Sequence, residues 1–227
     1  MRRCLAGLRH DGKLLRVGHV AADQSALLAA LGKLVEAMPG KLMVADLVGK
    51  PEDAMRVAQA YQRHGFVPHA KLMRMQRTGA QPLAKDSATD VELARVEDVS
   101  ALHAFMQRWL DPLSVQIQSV EELREAVAAN AIFLVRDGDG LAGILIQEAT
   151  GQSTVLRYWH VASHRHGRGI GSRLMHAFFA RCALSRRVTL WVIAGNADAI
   201  AKYHHYGFSA DGMVDNIMVR QPEVAAR

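Results

Sequence analysis

Two cysteines, Cys4 and Cys182, are all that the 227 residues contain, and neither stands in a metal-type or redox-type spacing. A thiolate metal centre and a dithiol redox site are set aside on that ground. A bridge between two such distant thiols is not expected in a cytosolic chain. No stretch reaches eighteen apolar residues, which excludes a membrane-spanning helix. The first ten residues, Met1 to His10, turn charged again before an apolar signal segment can form, so the protein is expected to stay in the cytoplasm. Histidine is plentiful at eleven copies, yet the pairs His164/His166 and His204/His205 lack the acidic or cysteine company of a metal site. No metal is expected.

Half of the residues are hydrophobic and 22% are charged, the balance of a globular protein with a real core. The length suits one large domain, or one domain with a partial second. A formal charge of +6 favours an anionic partner. Nucleic acid and a polyphosphate cofactor both satisfy that, and charge alone does not choose. A recognition-helix motif, or a basic run with interleaved aromatics, is missing, so nucleic acid is not the expected partner.

Apolar periodicity and turn residues divide the chain. The segment Thr78 to Ser87 combines Gly79, Pro82 and small polar residues without apolar period and reads as a linker. After it come a short strand at Val91 to Ala94 and a helix from Val99 to Leu110 with Leu102, Phe105, Met106 and Trp109 on one face. Ser119 with Glu122 forms a capping-box start for a helix to Ala128. Strands at Ala131 to Arg136 and Leu141 to Gln147 flank the hairpin signal Asp137-Gly138-Asp139-Gly140, and a third strand runs from Thr154 to Val161. An amphipathic helix, a strand at Val188 to Ile193, a helix at Asp198 to His205 and a last strand at Met213 to Val219 complete the pattern.

Between the third strand and the amphipathic helix lies His166-Gly167-Arg168-Gly169-Ile170-Gly171. Glycines between a strand and a helix let backbone N–H groups converge on an anion, and the helix N-terminus adds about half a positive charge. The spacing fits neither the P-loop nor the dinucleotide pattern, so another diphosphate ligand is the natural reading. Val161 to Gly171 resembles the acetyl-CoA-binding motif of the GNAT superfamily of N-acetyltransferases. Asn196, followed by Tyr203 and Gly207-Phe208, resembles that family's second cofactor segment. The position that is usually Arg or Gln is His166 here.

The resemblance, over about Ser87 to Gln221, implies a mixed α/β fold: a mostly antiparallel, twisted sheet flanked by helices. It implies acetyl-CoA as cosubstrate and an amine acceptor, with the acetyl group passing by direct attack in a ternary complex. His166, Gly167, Arg168, Gly169, Ile170, Gly171 and Ser172 would hold the pyrophosphate. Val161 would bind the pantetheine arm and present an N–H to the thioester carbonyl, and Asn196 would contact the pantetheine amides. Tyr203 stands where many members keep the acid that protonates the departing thiolate; a packing tyrosine is the competing reading. For the base, Glu148, His160 and a water chain stay open. Small-molecule and peptide amines are both open as acceptors, and a non-catalytic acyl-CoA sensor is the alternative function.

The chain also matches itself. Leu15 to Ala21 pairs with Leu156 to Ala162, and Tyr61 to Phe66 with Tyr203 to Phe208, at offsets of 141 and 142 residues. Residues 1–77 are therefore expected to be a partial, degenerate copy of the fold, residues 88–221 the catalytic domain, and residues 222–227 a tail. In the copy the glycine loop is replaced by Ala22 to Leu28, with Asp23 where a phosphate would sit. Such a half-sheet needs cover, from the second domain and from a two-fold dimer.

Overall fold

The computed structural model describes residues 4–11, 14–79, 90–138, 140–182 and 185–222. In chain order the elements are β1 (Cys4–Asp11), β2 (Leu14–Ala21), α1 (Gln24–Ala37), β3 (Leu42–Gly49), α2 (Pro51–Gln62), β4 (Val67–Thr78), β5 (Glu92–Leu93), α3 (Val99–Trp109) and α4 (Val120–Ala128). Then come β6 (Ile132–Asp137), β7 (Gly140–Thr150), β8 (Ser153–Val161), α5 (Ile170–Arg181), β9 (Arg187–Ile193), α6 (Ala197–His205) and β10 (Ser209–Arg220). The expected elements beyond residue 90 are all present, with ends shifted by a few residues. Most of the expected linker, and nearly all of the tail, lie outside the described residues.

Contacts divide the chain into two units, neither contiguous in sequence: Met1–Arg74 with Val192–Lys202 and Ala210–Arg227, and Met75–Trp191 with Tyr203–Ser209. In the first unit the strands run in the order β1-β2-β3-β10-β4. β1 and β2 form an antiparallel hairpin. β2 then pairs in parallel with β3, but only from Leu14/Leu42 to Arg16/Val44. β10 lies antiparallel to β3 from Met43/Arg220 to Gly49/Val214. Leu15, Leu31, Met43, Tyr61, Phe66 and Met218 of β10 share one core, so the last strand of the chain completes a core begun by its first strands. Helix α2 starts on Pro51, whose missing N–H costs nothing in a first turn.

The second unit orders its strands β9-β8-β7-β6-β5. β5 to β8 are antiparallel neighbours, and β8 joins β9 in parallel. The capping box at Ser119 is made: Glu122 N–H donates to Ser119 Oγ at 3.2 Å, and Ser119 N–H to Glu122 Oε2 at 2.8 Å. Leu102, Phe105, Met106 and Leu123 pack on Ile132, Ile144, Ile146 and Tyr158. Strand alternation sends Gly143 to the other face, where α5 comes so close that a Cβ would stand 2.9 Å from Ile170.

The succession β-β-α-β-α-β occurs twice, as β1-β2-α1-β3-α2-β4 and as β7-β8-α5-β9-α6-β10. Side-chain packing shifts the sequence match by one residue on the second strand. The match sets His19 against His160, but the contact that Tyr61 makes with His19 is made by Tyr203 with Trp159. A one-residue slip exchanges the faces of a strand. His160 accordingly faces Phe105 and Trp109 on the α3 side.

Candidate active site

Parallel pairing of β8 with β9 spans only Ser153/Arg187 to Leu156/Leu190. Beyond it, Arg157 to Val161 have no register partner on β9 among the described residues. β8 ends at Val161, the chain makes a short 3-10 turn at Ser163–Arg165, and α5 begins after Gly169. All three glycines of the loop have a local reason. Gly167 (φ +79°) and Gly169 (φ +72°) adopt left-handed backbone that a Cβ disfavours. At Gly171 a Cβ would lie 3.2 Å from the Trp159 ring, whose Nε1–H donates to the Gly171 carbonyl at 3.0 Å.

The result is a helix that starts bare. Gly169 offers no side-chain cap and the first turn holds no acidic residue. Ile170, Gly171 and Ser172 therefore head α5 with backbone N–H groups that take no backbone acceptor among the described residues. This is an anion site in the physical sense: convergent donors at the positive end of a helix.

The loop's charged side chains are tied down. Asp137, at the end of β6, accepts from Arg165 at 2.5 Å and from Arg168 at 2.8 Å. Arg173 pairs with Asp90 at 2.9 Å and donates to the Arg168 carbonyl. His166 Nε2 lies 2.9 Å from the Val161 carbonyl oxygen. A carbonyl only accepts, so Nε2 carries the proton, and the imidazole closes the loop back onto the strand that it leaves. Asp137 had no sequence signal beyond its place in a hairpin.

Trp159 joins the loop to the end of α6. Its ring lies 5.4 Å from Tyr203 and 5.8 Å from Tyr206, and the Tyr206 hydroxyl donates to Ser172 Oγ at 3.2 Å. Tyr203 is buried at 8% exposure, and burial pushes its phenol above the ordinary range, so the proton is held at any working pH. The structure thus brings together Val161, the loop, Ser172 and Tyr203. Asn196 belongs to the first unit, where its Oδ1 accepts from Ala199 N–H at 3.1 Å at the start of α6.

Of the two side chains left open as bases, Glu148 is 48% exposed and paired with Arg157 at 3.4 Å. His160 is half-buried against Phe105 and Trp109, with a buried Nε2 that has no hydrogen-bond partner among the described residues. Burial, with a smaller push from His166, lowers its pKa below the ordinary imidazole value, so the ring is neutral and able to take a proton. Among the described residues no group of His, Cys, Asp or Glu could hold a metal ion, and no helix is long and apolar enough to cross a membrane. Cys182 is a buried free thiol.

Residues 99–208 match the family model of the acetyltransferase (GNAT) family. A comparison with curated proteins finds no match. Solved structures are similar over nearly the whole chain. A GCN5-related N-acetyltransferase from Sphaerobacter thermophilus has TM-score 0.69 at 15% identity, over 98% of this chain and 78% of its own. One from Kribbella flavida has TM-score 0.63 at 18% identity, over 98% and 90%. A putative GNAT-family acetyltransferase from Novosphingobium aromaticivorans has TM-score 0.60 at 19% identity, over 94% and 91%. The fold is GNAT-like, a mixed α/β structure whose large, mostly antiparallel sheet is flanked by helices.

Proposed function

We propose that this chain is an acetyl-CoA-dependent N-acetyltransferase acting on a primary amine. The observation that carries the reading is the uncapped N-terminus of α5, entered through two left-handed glycines beside a strand end that has no β9 partner among the described residues. The N–H groups of Gly167 to Ser172 would take the pyrophosphate of coenzyme A, with Arg168 beside them, and Asn196 the pantetheine amides. Val161 would donate its N–H to the thioester oxygen, an effect of about 3 kcal/mol for one well-aimed donor. His160 would take the ammonium proton, the neutral amine would attack the thioester carbon, and Tyr203 would give its proton to the departing thiolate.

The same reading makes residues 88–221 the catalytic domain and residues 1–77 a degenerate copy that holds no cofactor. It gives the protein a cytoplasmic location and a two-fold dimer as its assembly. Repeated element order and paired Tyr61/Tyr203 contacts support the copy. Free thiol released from acetyl-CoA across a panel of small-molecule and peptide amines tests the activity. With His160 as base, kcat/KM rises with pH through a value below the ordinary imidazole range and then levels. Acetyl-CoA binding without thiol release for any amine would make the chain a sensor instead.

A further inference from the structure

A cluster of rings in the second unit gathers on the α3 side of β8. Phe105 and Trp109 are one helical turn apart on α3, so they share a face. His160, next to the end of β8, meets Phe105 edge-on at 5.9 Å between ring centres and Trp109 at 6.0 Å and 32°. His164, in the turn that leads to the glycine loop, lies 6.1 Å from the same Trp109 ring, again at 32°. Phe105 is buried, Trp109 and His160 are half-buried and His164 is exposed, so the cluster runs from the core out to the surface. Within it, His160 Nε2 is buried with no partner among the described residues. Such an atom is costly to leave unpaired, and a bound ligand would complete it.

Charge narrows the ligand. The Arg108 guanidinium carbon lies 5.2 Å from the centre of the Trp109 ring, so a cation of this chain already sits there. Arg108 is exposed, and among the described residues neither it nor His160 nor His164 pairs with a carboxylate. Asp137, the carboxylate beside the glycine loop, is taken by Arg165 and Arg168. An acceptor with several ammonium groups would bring its further charges up to a cation that has no counter-ion. A flat apolar body meets rings instead, and ring contacts add to the gain from burial.

We propose that this cluster is the acceptor surface and that it selects an arylalkyl amine over a polyamine. The acceptor's ring packs on Trp109 and His164, and its single amino group reaches His160 Nε2. Trp109 and Arg108 are the specificity-determining residues, and neither belongs to the glycine loop or to α5. The proposal rests on acetyl transfer as the reaction and adds the class of acceptor.

Thiol release by the full-length chain with 2-phenylethylamine and with spermidine tests it. kcat/KM should favour 2-phenylethylamine by about tenfold or more, the size of one good ring contact added to burial. Trp109→Ala should erase that preference through KM for the amine while KM for acetyl-CoA stays unchanged, and Trp109→Phe should restore most of it. Arg108→Glu should lower KM for spermidine by about threefold to tenfold and leave 2-phenylethylamine nearly unaffected. Binding of 2-phenylethylamine in the presence of coenzyme A, followed through the His160 ring signals by NMR, gives a readout that needs no turnover. Equal or reversed kcat/KM for the two amines, a preference that survives Trp109→Ala, or His160 signals unmoved by the amine would overturn the proposal. Signals that shift in the wild type but not in Trp109→Ala, without thiol release from any amine, would overturn acetyl transfer and leave the aromatic site standing.

Discussion

Two strand-to-helix junctions in this chain start from the same plan and end with opposite electrostatics. At β2–α1 the chain passes through Asp23, whose carboxylate caps the helix. At β8–α5 it passes through Gly167 and Gly169, whose left-handed backbone brings N–H groups to an uncapped helix end. In both, the first strand parts from its parallel neighbour after a few residues. Strand separation makes room, and the cap residue decides which charge may enter. A repeated order of elements therefore carries no promise of similar ligands.

The largest expected effect comes from removing the first half. A chain beginning at Thr78 strips β10 of its pairing with β3 and Met218 of its core neighbours. It should fail to give a cooperative thermal transition as a soluble monomer. A sharp melt and a monomeric elution volume would break the view that β10 belongs to a core built by the first strands.

Next is Gly169→Val. A β-branched residue at φ +72° is strained by about 1–2 kcal/mol or more, and its side chain would sit where phosphate approaches the helix end. Acetyl-CoA affinity should fall at least a hundredfold while circular dichroism stays native. Unchanged affinity would move the cofactor site elsewhere.

Tyr203→Phe should lower kcat by about tenfold to a hundredfold with little change in KM for acetyl-CoA, given the usual size of acid catalysis. The deficit should shrink when a thioester with a more acidic leaving thiol is used. Wild-type turnover would reduce Tyr203 to packing on Trp159 and Phe208, the role that Tyr61 has against His19 and Phe66.

The smallest effect concerns a buried carboxyl that belongs to the first unit. Burial, with the charge of Asp46, pushes Asp215 up to about 7, although a backbone hydrogen bond from Leu47 and the charge of Arg16 offset part of this. The fold therefore favours the protonated form. The associated stability is present below about pH 4 and is lost as pH rises through 7. Asp215→Asn should match the wild type at pH 4 and exceed it at pH 8, by on the order of 2 kcal/mol. Equal urea midpoints at pH 8 would contradict this.

Much of the second half was legible because its signals are local. The capping box at Ser119, the hairpin signal between the apolar runs of β6 and β7, and the glycine loop each act within a few residues. The part that escaped is long-range. Nothing within β10 says that it pairs with β3, more than 160 residues earlier, because strand partners follow from the whole sheet. The face of His160 escaped for a related reason: matching by identity aligned it with His19, whereas packing aligns His19 with Trp159. The salt bridges of Arg165 and Arg168 also needed a structure, since they bring Asp137 from a separate hairpin.

The difference between the two junctions is tested most directly by counting cofactor. Calorimetric titration of the full-length protein with acetyl-CoA should give one equivalent per chain, held at the bare start of α5 and lost in Gly169→Val. Two equivalents per chain, or one equivalent that survives Gly169→Val but disappears when Asp23 is changed, would contradict the account.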